Sequence, residues 1–157
     1  MLSEAERTEI ESQIEHARTR SSGLIEALRV VQKHRGWISD EAVGEIAEFL
    51  GMTSAEVDSV ATFYNRIFRK PVGKHVIHVC DSISCWVMGS ESVKQLLARK
   101  LTVSDGGTSS DGMFTLLPVD CLGACHKAPV MLIDGELYEE LSDERIENIL
   151  NEIRAKE

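Results

Sequence analysis

The four cysteines of the chain form two close pairs, a spacing that suits a small metal centre. Cys80 and Cys85 have four residues between them, and Cys121 and Cys125 have three. Together the two pairs provide four thiolates, which is enough to hold one such centre. In a reducing compartment, paired cysteines indicate metal or redox chemistry rather than disulfides. Burial as small hydrophobic side chains does not explain two close pairs flanked by glycines.

The residues alone leave the nature of this centre open. A structural zinc site accepts four thiolates, usually in pairs spaced by two to four residues. A two-iron cluster also uses four cysteines, and plant-type ferredoxins share the first gap of four residues, but not the second gap or the 35 residues between the pairs. A thiol-disulfide enzyme needs Cys-x-x-Cys, which this sequence lacks. His78 and His126 lie close to cysteines in the sequence, so a histidine-ligated centre is a further alternative.

Small and polar residues within the two cysteine segments are candidates for stabilising sulfur. Gly123 allows the backbone between the second pair to curl tightly and to direct N–H groups at a thiolate, which stabilises the extra electron of a reduced centre. Ser82 and Ser84 are candidate donors between the first pair, although solvated loop serines would look the same.

Each cysteine pair follows a predicted strand. Residues 74–80 alternate and are rich in β-branched side chains, which predicts a strand that ends at Cys80. Residues 114–119 predict a second strand, with Cys121 just beyond its end. Two such loops can lie side by side at one edge of a sheet. A metal centre there would be near the surface.

The other segments after Cys80 predict a mixed sheet covered by helices. They are a helix over 87–100, a loop over 101–113, a hairpin of strands 129–133 and 136–138, and a last helix that begins after Ser142. The hairpin rests on Asp134-Gly135, the strongest short turn signal in the chain. The order strand, helix, strand, hairpin, helix implies a mixed sheet with helices on its faces.

Residues 1–70 carry helix signals and almost no strand signal. The predicted caps are Ser3 with Glu6, Ser22, Ser39, and Thr53 with Glu56, and the predicted stops are Gly36 and Gly51. Apolar residues recur at helical spacing after each cap. The aromatic side chains in this half are expected to pack inside, namely Trp37, Phe63, Tyr64 and Phe68. This half is interpreted as a helical bundle without catalytic residues, so the fold class is α+β.

Composition changes at Pro71-Val72-Gly73, and we expect two domains, 1–70 and 71–157. A chain of 157 residues can bury roughly 70% of its unfolded surface, so it needs no metal merely to fold. The net charge of −9 and the lack of a basic run argue against nucleic acid as a partner. The polar, acidic residues 1–11 resemble neither a secretory signal nor a transit peptide, and no apolar run reaches the length of a membrane span. A cytoplasmic location without direct membrane insertion is expected.

Three longer segments resemble a known family. They are residues 62–80 (TFYNRIFRKPVGKHVIHVC), 80–85 (CDSISC) and 116–141 (LLPVDCLGACHKAPVMLIDGELYEEL). They look like the thioredoxin-like ferredoxin subunit of bacterial respiratory complex I, NADH:quinone oxidoreductase, and the resemblance covers nearly the whole chain. It implies a thioredoxin-like mixed sheet after the helical bundle. It also implies a 2Fe-2S cluster whose ligands are Cys80, Cys85, Cys121 and Cys125.

The resemblance also implies the role of the chain. It would be an electron-transfer subunit with no complete active site of its own, exchanging single electrons with FMN in a partner flavoprotein that binds NADH. The absence of a dinucleotide-binding glycine motif and of a phosphate loop agrees with that division. Residues 1–70 would dock the partner, and the assembly would lie on the cytoplasmic side of the inner membrane.

Two alternative functions remain open beside this one. A separate feature, His126-Lys127, bears on the reduction potential of the cluster. The alternatives are the equivalent subunit of an NAD-linked hydrogenase or formate dehydrogenase, and a zinc-stabilised docking module without redox chemistry. His126-Lys127 would place a cation beside the cluster, which favours the reduced form and raises the potential.

Overall fold

The computed structural model describes residues 1–156 and divides the chain into two compact units, Met1–Pro71 and Val72–Glu157. The first unit is helical, and the second combines a sheet with helices. The α+β class expected from the sequence is therefore confirmed. Among the described residues, no helix combines the length and the apolar character needed to cross a bilayer.

Four α-helices and one 3-10 turn form the first unit. They are α1 (Glu4–Ile14), the turn Arg20–Gly23, α2 (Leu24–Arg35), α3 (Asp40–Leu50) and α4 (Ser54–Phe63). Their buried faces form one apolar core, which includes Ile10, Leu28, Val31, Ile46 and Val57. The predicted capping boxes of α1 and α4 are both present, and Ser39 caps α3.

One predicted cap is wrong. Ser22 lies within the 3-10 turn, which Thr19 caps, and α2 begins after Gly23 without a side-chain cap. A 3-10 turn leads directly into α2 here. A serine before an apolar helical pattern does not show in the sequence that such a turn precedes the helix. The predicted stops are confirmed, because Gly36 ends α2 and Gly51 ends α3 with a left-handed φ of 69°.

Two of the four aromatic side chains expected inside the first unit lie outside. Phe63 is 80% exposed and Tyr64 is 42% exposed, and their rings meet edge to face with centroids 5.2 Å apart. Trp37 and Phe68 are half-buried. The buried face of α4 is carried by Val57 and Ala61, four residues apart, so a residue two positions after Ala61 points away from the core. The expectation that these aromatics pack inside is thus wrong for Phe63 and Tyr64.

A four-stranded mixed sheet forms the centre of the second unit. Its strands are β1 (His75–Cys80), β2 (Phe114–Val119), β3 (Met131–Ile133) and β4 (Glu136–Tyr138), in the spatial order β2-β1-β3-β4. β1 and β2 are parallel, whereas β3 is antiparallel to both β1 and β4. Asp134 and Gly135 have φ values of 51° and 98°, the paired left-handed conformation of a tight hairpin turn. The predicted hairpin is confirmed.

Helices α6 (Ser90–Leu101) and α7 (Asp143–Ala155) pack against this sheet. The shared core includes Ile77, Leu97, Phe114, Leu116 and Ile146. Ser142 caps α7 as predicted, by accepting a hydrogen bond from the N–H of Arg145.

The single helix predicted over 87–100 is wrong at its start. A separate short helix, α5 (Ile83–Val87), forms inside the first cysteine segment, and α6 begins only at Ser90. Gly89 lies between the two helices with a left-handed φ of 98°, so the chain changes direction there and α5 does not continue into α6. The first cysteine pair is therefore held by a strand end and a helical turn.

Candidate metal centre

The two cysteine segments leave the same edge of the sheet. β1 and β2 run parallel, and Cys80 at the end of β1 is level with Val119 at the end of β2. The N–H of Asp81 donates a hydrogen bond to the carbonyl of Val119 at 2.8 Å, which continues the pairing by one residue. Cys121 follows two residues after Val119. Parallel pairing therefore brings both loops to one place.

Cys80 and Cys85 are buried and lie beside the second loop. Cys80 is 1% exposed and Cys85 is 0% exposed. The thiol of Cys80 donates a long hydrogen bond, 3.9 Å, to the carbonyl of Asp120, the residue just before the second pair. The N–H of Cys80 donates to the carbonyl of Val130 at 3.2 Å. Backbone on both sides of the second pair thus contacts the first.

A small apolar cluster surrounds the buried pair. Cys80 and Cys85 pack with Ala124, Ala128 and Val130. The partly buried side chain of Leu122 packs against this cluster. Four members of this cluster come from the second cysteine segment or the residues directly after it. The small alanines allow the two loops to approach closely, so this side of the site is lined by apolar side chains.

The electrostatics of Cys85 show what the site requires. Burial, and then a hydrogen bond with Cys80, raise the pKa of the Cys85 thiol to about 11. The charges of Cys80 and Cys125 are among the causes of this rise, and a backbone hydrogen bond with Val130 opposes it. A buried thiolate here needs compensating positive charge, and a bound metal ion deprotonates its thiol ligands outright. Metal binding would therefore have to displace the proton of Cys85, which a bound metal ion does.

Cys121 and Cys125 are exposed, and the loop that carries them is shaped by Gly123. Gly123 has a φ of 79°, and its N–H donates a hydrogen bond to the Sγ of Cys121 at 3.4 Å. The prediction that this glycine aims an N–H at sulfur is confirmed. Cys125 begins a short 3-10 turn, Cys125–Lys127, that leads into β3.

Across residues 1–156, no three His, Cys, Asp or Glu side chains are placed together as ligands of one metal ion. A 2Fe-2S core takes two cysteines at each iron, so it does not need three protein ligands at either one. Two pairs on two adjoining loops match that chemistry. Four cysteine sulfurs are the donor set that a two-iron cluster takes, and that cluster spreads its ligands over a wider core than a single zinc ion does.

The other polar residues singled out from the sequence lie at the margins of the site. His78 is buried within β1, and His126 is exposed on the 3-10 turn. Ser82 precedes α5 and caps it with no side-chain hydrogen bond, and Ser84 lies within α5. The ammonium of Lys127 is 3.1 Å from a carboxylate oxygen of Glu140, so the cation expected beside the second pair has a counter-charge.

Sequence reasoning missed the outer face of α5. Ile83, Trp86 and Val87 are exposed there, as is Met88 just after the helix, and buried Cys85 lies between them in the sequence. The spacing of Ile83, Trp86 and Val87 is the helical pattern of one face, and that signal is present in the sequence. The cysteines obscure it, because they make the segment look like a ligand loop.

The fold and the paired cysteines define the class of the protein as a thioredoxin-like ferredoxin. The profile of the thioredoxin-like [2Fe-2S] ferredoxin family matches residues 10–154, so the chain belongs to that family. The resemblance inferred from residues 62–80 and 116–141 is confirmed. The cofactor of the family, and of this chain as a member, is a [2Fe-2S] cluster.

Full-length relatives make the comparison more specific. The chain is 45% identical over 150 residues to the E subunit of NADH-quinone oxidoreductase from Pseudomonas aeruginosa, which covers 96% of this chain and 90% of that protein. It is 46% identical over 149 residues to the E subunit of the same enzyme from Escherichia coli, with 95% and 90% covered.

A solved NAD+-reducing [NiFe]-hydrogenase has the same fold over 86% of this chain, with a TM-score of 0.73 and 24% identity. The match spans only 22% of the hydrogenase chain. This similarity supports the fold.

Proposed function

We propose that the chain is the electron-transferring E subunit of an NADH-quinone oxidoreductase, with one [2Fe-2S] cluster held by Cys80, Cys85, Cys121 and Cys125. The observation that carries this proposal is the meeting of both cysteine loops at the ends of parallel strands β1 and β2, where the buried pair packs against the second loop. Identity of 45% to the Pseudomonas aeruginosa relative over nearly the full length supports the assignment to this enzyme.

The cluster, when bound, supplies one-electron chemistry, and the chain controls its surroundings. Cys80 and Cys85 would hold one side in an apolar environment, because both are buried among alanine and valine side chains. The N–H of Gly123 donates to the Sγ of Cys121, and such a donor stabilises negative charge on sulfur and so favours the reduced form. The exposure of Cys121 and Cys125 keeps the other side near the surface, within reach of a redox partner.

The partner in this proposal is a flavoprotein subunit that binds NADH and FMN. NADH would supply two electrons at once to that subunit, and this chain would take them from it one at a time. The helical unit, residues 1–70, contributes to docking, and exposed Phe63 and Tyr64 are an apolar pair suited to that use. Attachment on the cytoplasmic side of the membrane would come through the other subunits of the enzyme.

Metal and sulfide analysis of the anaerobically purified chain tests this proposal. We expect two irons and two acid-labile sulfides per chain, and a one-spin EPR signal after reduction with dithionite. Replacing any of the four cysteines by serine should lower the cluster content. His126→Ala is the matched control, because His126 adjoins Cys125 but is exposed and not needed as a ligand. A colourless protein containing zinc would contradict the proposal, as would loss of the cluster in His126→Ala.

A further inference from the structure

Helix α5 turns two different faces to its surroundings. Cys85 points inward and is 0% exposed. The residues around it point outward: Ile83 is 69%, Trp86 58%, Val87 69% and Met88 60% exposed. We call these four side chains the α5 patch. Ile83, Trp86 and Val87 lie on one face of a single helical turn, so the apolar side chains adjoin one another.

The α5 patch needs an explanation because it is costly to leave in water. Clustered exposed apolar side chains on a soluble domain mark interaction sites, and tryptophan is among the residues most enriched at the centres of interfaces. A patch of four side chains is smaller than a stable protein interface, which buries about 800 Å² on each partner over roughly 20 to 30 residues. It can therefore form only the centre of an interface, and the surrounding residues must supply the rest.

The rim of the patch is acidic. Asp81 precedes α5, Glu91 lies in the first turn of α6, and Asp120 follows β2 at the same sheet edge as Asp81. Lys94 is the cation among them, and its ammonium lies 3.1 Å from carboxylate oxygens of both Asp81 and Glu91. The side chain of Lys94 is only 13% exposed, whereas those of Asp81 and Glu91 are 39% and 50% exposed. The surface presented to a partner is thus apolar at its centre and negative at its rim.

We propose that the α5 patch is the docking surface for the protein that exchanges electrons with this chain. That partner presents an apolar surface with lysine or arginine at its edge, complementary to the acidic rim. Docking there brings the partner's redox group to the helical turn that carries Cys85. One electron passes in each encounter, so the partner is oxidised by one electron and the cluster is reduced by one, and no atom is transferred.

This inference rests on the proposed function and adds the surface through which it operates. The test uses the full-length chain loaded with its cluster and, as probe, the FMN-loaded flavoprotein subunit of the NADH-quinone oxidoreductase from the same organism. The dissociation constant is measured by calorimetry at 50 and 300 mM NaCl, and reduction of the cluster by NADH is followed by stopped-flow absorbance. The variants are Trp86→Ser and Met88→Ser. Met88 lies just beyond α5, so its replacement preserves the helix if Trp86→Ser disturbs it.

Leu137→Ser is the matched control, because Leu137 is an exposed apolar residue of the same unit on strand β4. We expect Trp86→Ser to weaken binding at least tenfold and Met88→Ser at least threefold, with a similar slowing of NADH-dependent reduction. Leu137→Ser should stay within twofold of wild type. The visible spectrum and reduction by dithionite should be unchanged in all three, and higher salt should weaken binding of the wild type.

Two results would overturn the α5 patch as the docking surface while leaving the proposed function in place. In the first, the wild type binds the flavoprotein and is reduced by NADH, yet both patch variants stay within twofold of it. In the second, ultracentrifugation without flavoprotein shows that the wild type is a dimer and that Trp86→Ser is a monomer. The α5 patch would then bind a second copy of the chain. Failure of the cluster-loaded wild type to bind the flavoprotein or accept electrons would instead refute the proposed function, and this inference with it.

Discussion

Replacing Glu6 by glutamine should destabilise the helical unit by an amount that depends on pH. The carboxylate of Glu6 accepts hydrogen bonds from Nε and one terminal nitrogen of Arg35, at 2.6 and 2.9 Å. It also accepts from the N–H and hydroxyl of Ser3 in the capping box of α1. Its side chain is only 3% exposed, so solvent does not screen these contacts strongly.

The magnitude follows from the titration of Glu6. The hydrogen bonds from Arg35, followed by those from Ser3, outweigh burial and lower its pKa from 4.5 to about 2. Each pKa unit is worth 1.36 kcal/mol, so the ionised carboxylate contributes about 3 kcal/mol to the free energy of unfolding at neutral pH. Because the folded pKa is depressed, this contribution is complete above about pH 4.5 and is lost as the pH falls towards 2. At pH 3 about half of it remains.

Urea denaturation followed by tryptophan fluorescence measures this effect. A Trp86→Phe background leaves Trp37 as the only tryptophan, so the signal reports on the helical unit. Glu6→Gln should lower the free energy of unfolding by about 3 kcal/mol at pH 7 and by roughly half as much at pH 3. Glu9→Gln is the control, since Glu9 pairs with Lys33 and His34 at the surface, where solvent screens the pairing, and its replacement should cost much less than Glu6→Gln. Equal losses for Glu6→Gln at both pH values would refute the reasoning.

Four further changes test the backbone and the helical unit. Gly73→Ala would place a Cβ 2.9 Å from the carbonyl oxygen of Gly112, and because backbone cannot yield it should lower the free energy of unfolding in urea by about 1 to 3 kcal/mol. Gly44→Ala, with open space inside α3, should raise it by about 0.5 to 1 kcal/mol, and the same sign for both variants would contradict the geometry. Gly123→Ala forces a side chain into a left-handed φ of 79°, at a cost of about 1 to 2 kcal/mol, so the cluster should bleach faster in air than in wild type. Phe63→Ser should weaken calorimetric binding to the flavoprotein without reducing iron content, and unchanged affinity would count against docking through the helical unit.

Local rules are sufficient for most of the fold. The capping boxes of Ser3 and Thr53 and the stop at Gly51 use only neighbouring residues, so the sequence predicts them well. The Asp134-Gly135 turn is equally local, because the left-handed conformation it requires is a property of those residues.

Expectations from the sequence fail where contacts between distant segments determine which side chains are buried and which helices form. Phe63 has the composition of a core residue but falls on the outer side of α4, which depends on where that helix ends. Helix α5 escapes prediction because the two cysteines make its segment look like a ligand loop, although Ile83, Trp86 and Val87 have the spacing of one helical face. It is stabilised by the burial of Cys85, a contact with segments more than 35 residues away in the sequence. Pairing of the two cysteine loops can be expected from their strands, but the parallel register that places Cys80 level with Val119 is visible only in the structure.

The uneven burial of the four cysteines connects the fold to the proposed electron transfer. Cys80 lies at the end of β1 and Cys85 in α5, and both are buried in an apolar setting that raises the pKa of the Cys85 thiol. Cys121 and Cys125 lie on a glycine-shaped loop at the surface. A centre buried on all sides would be isolated from any partner, whereas one held only by exposed loops would lose its ligands to water and oxidants. In the proposed site, the buried apolar side would stabilise the centre, and the exposed loop with the adjoining α5 patch would leave a short route for single electrons.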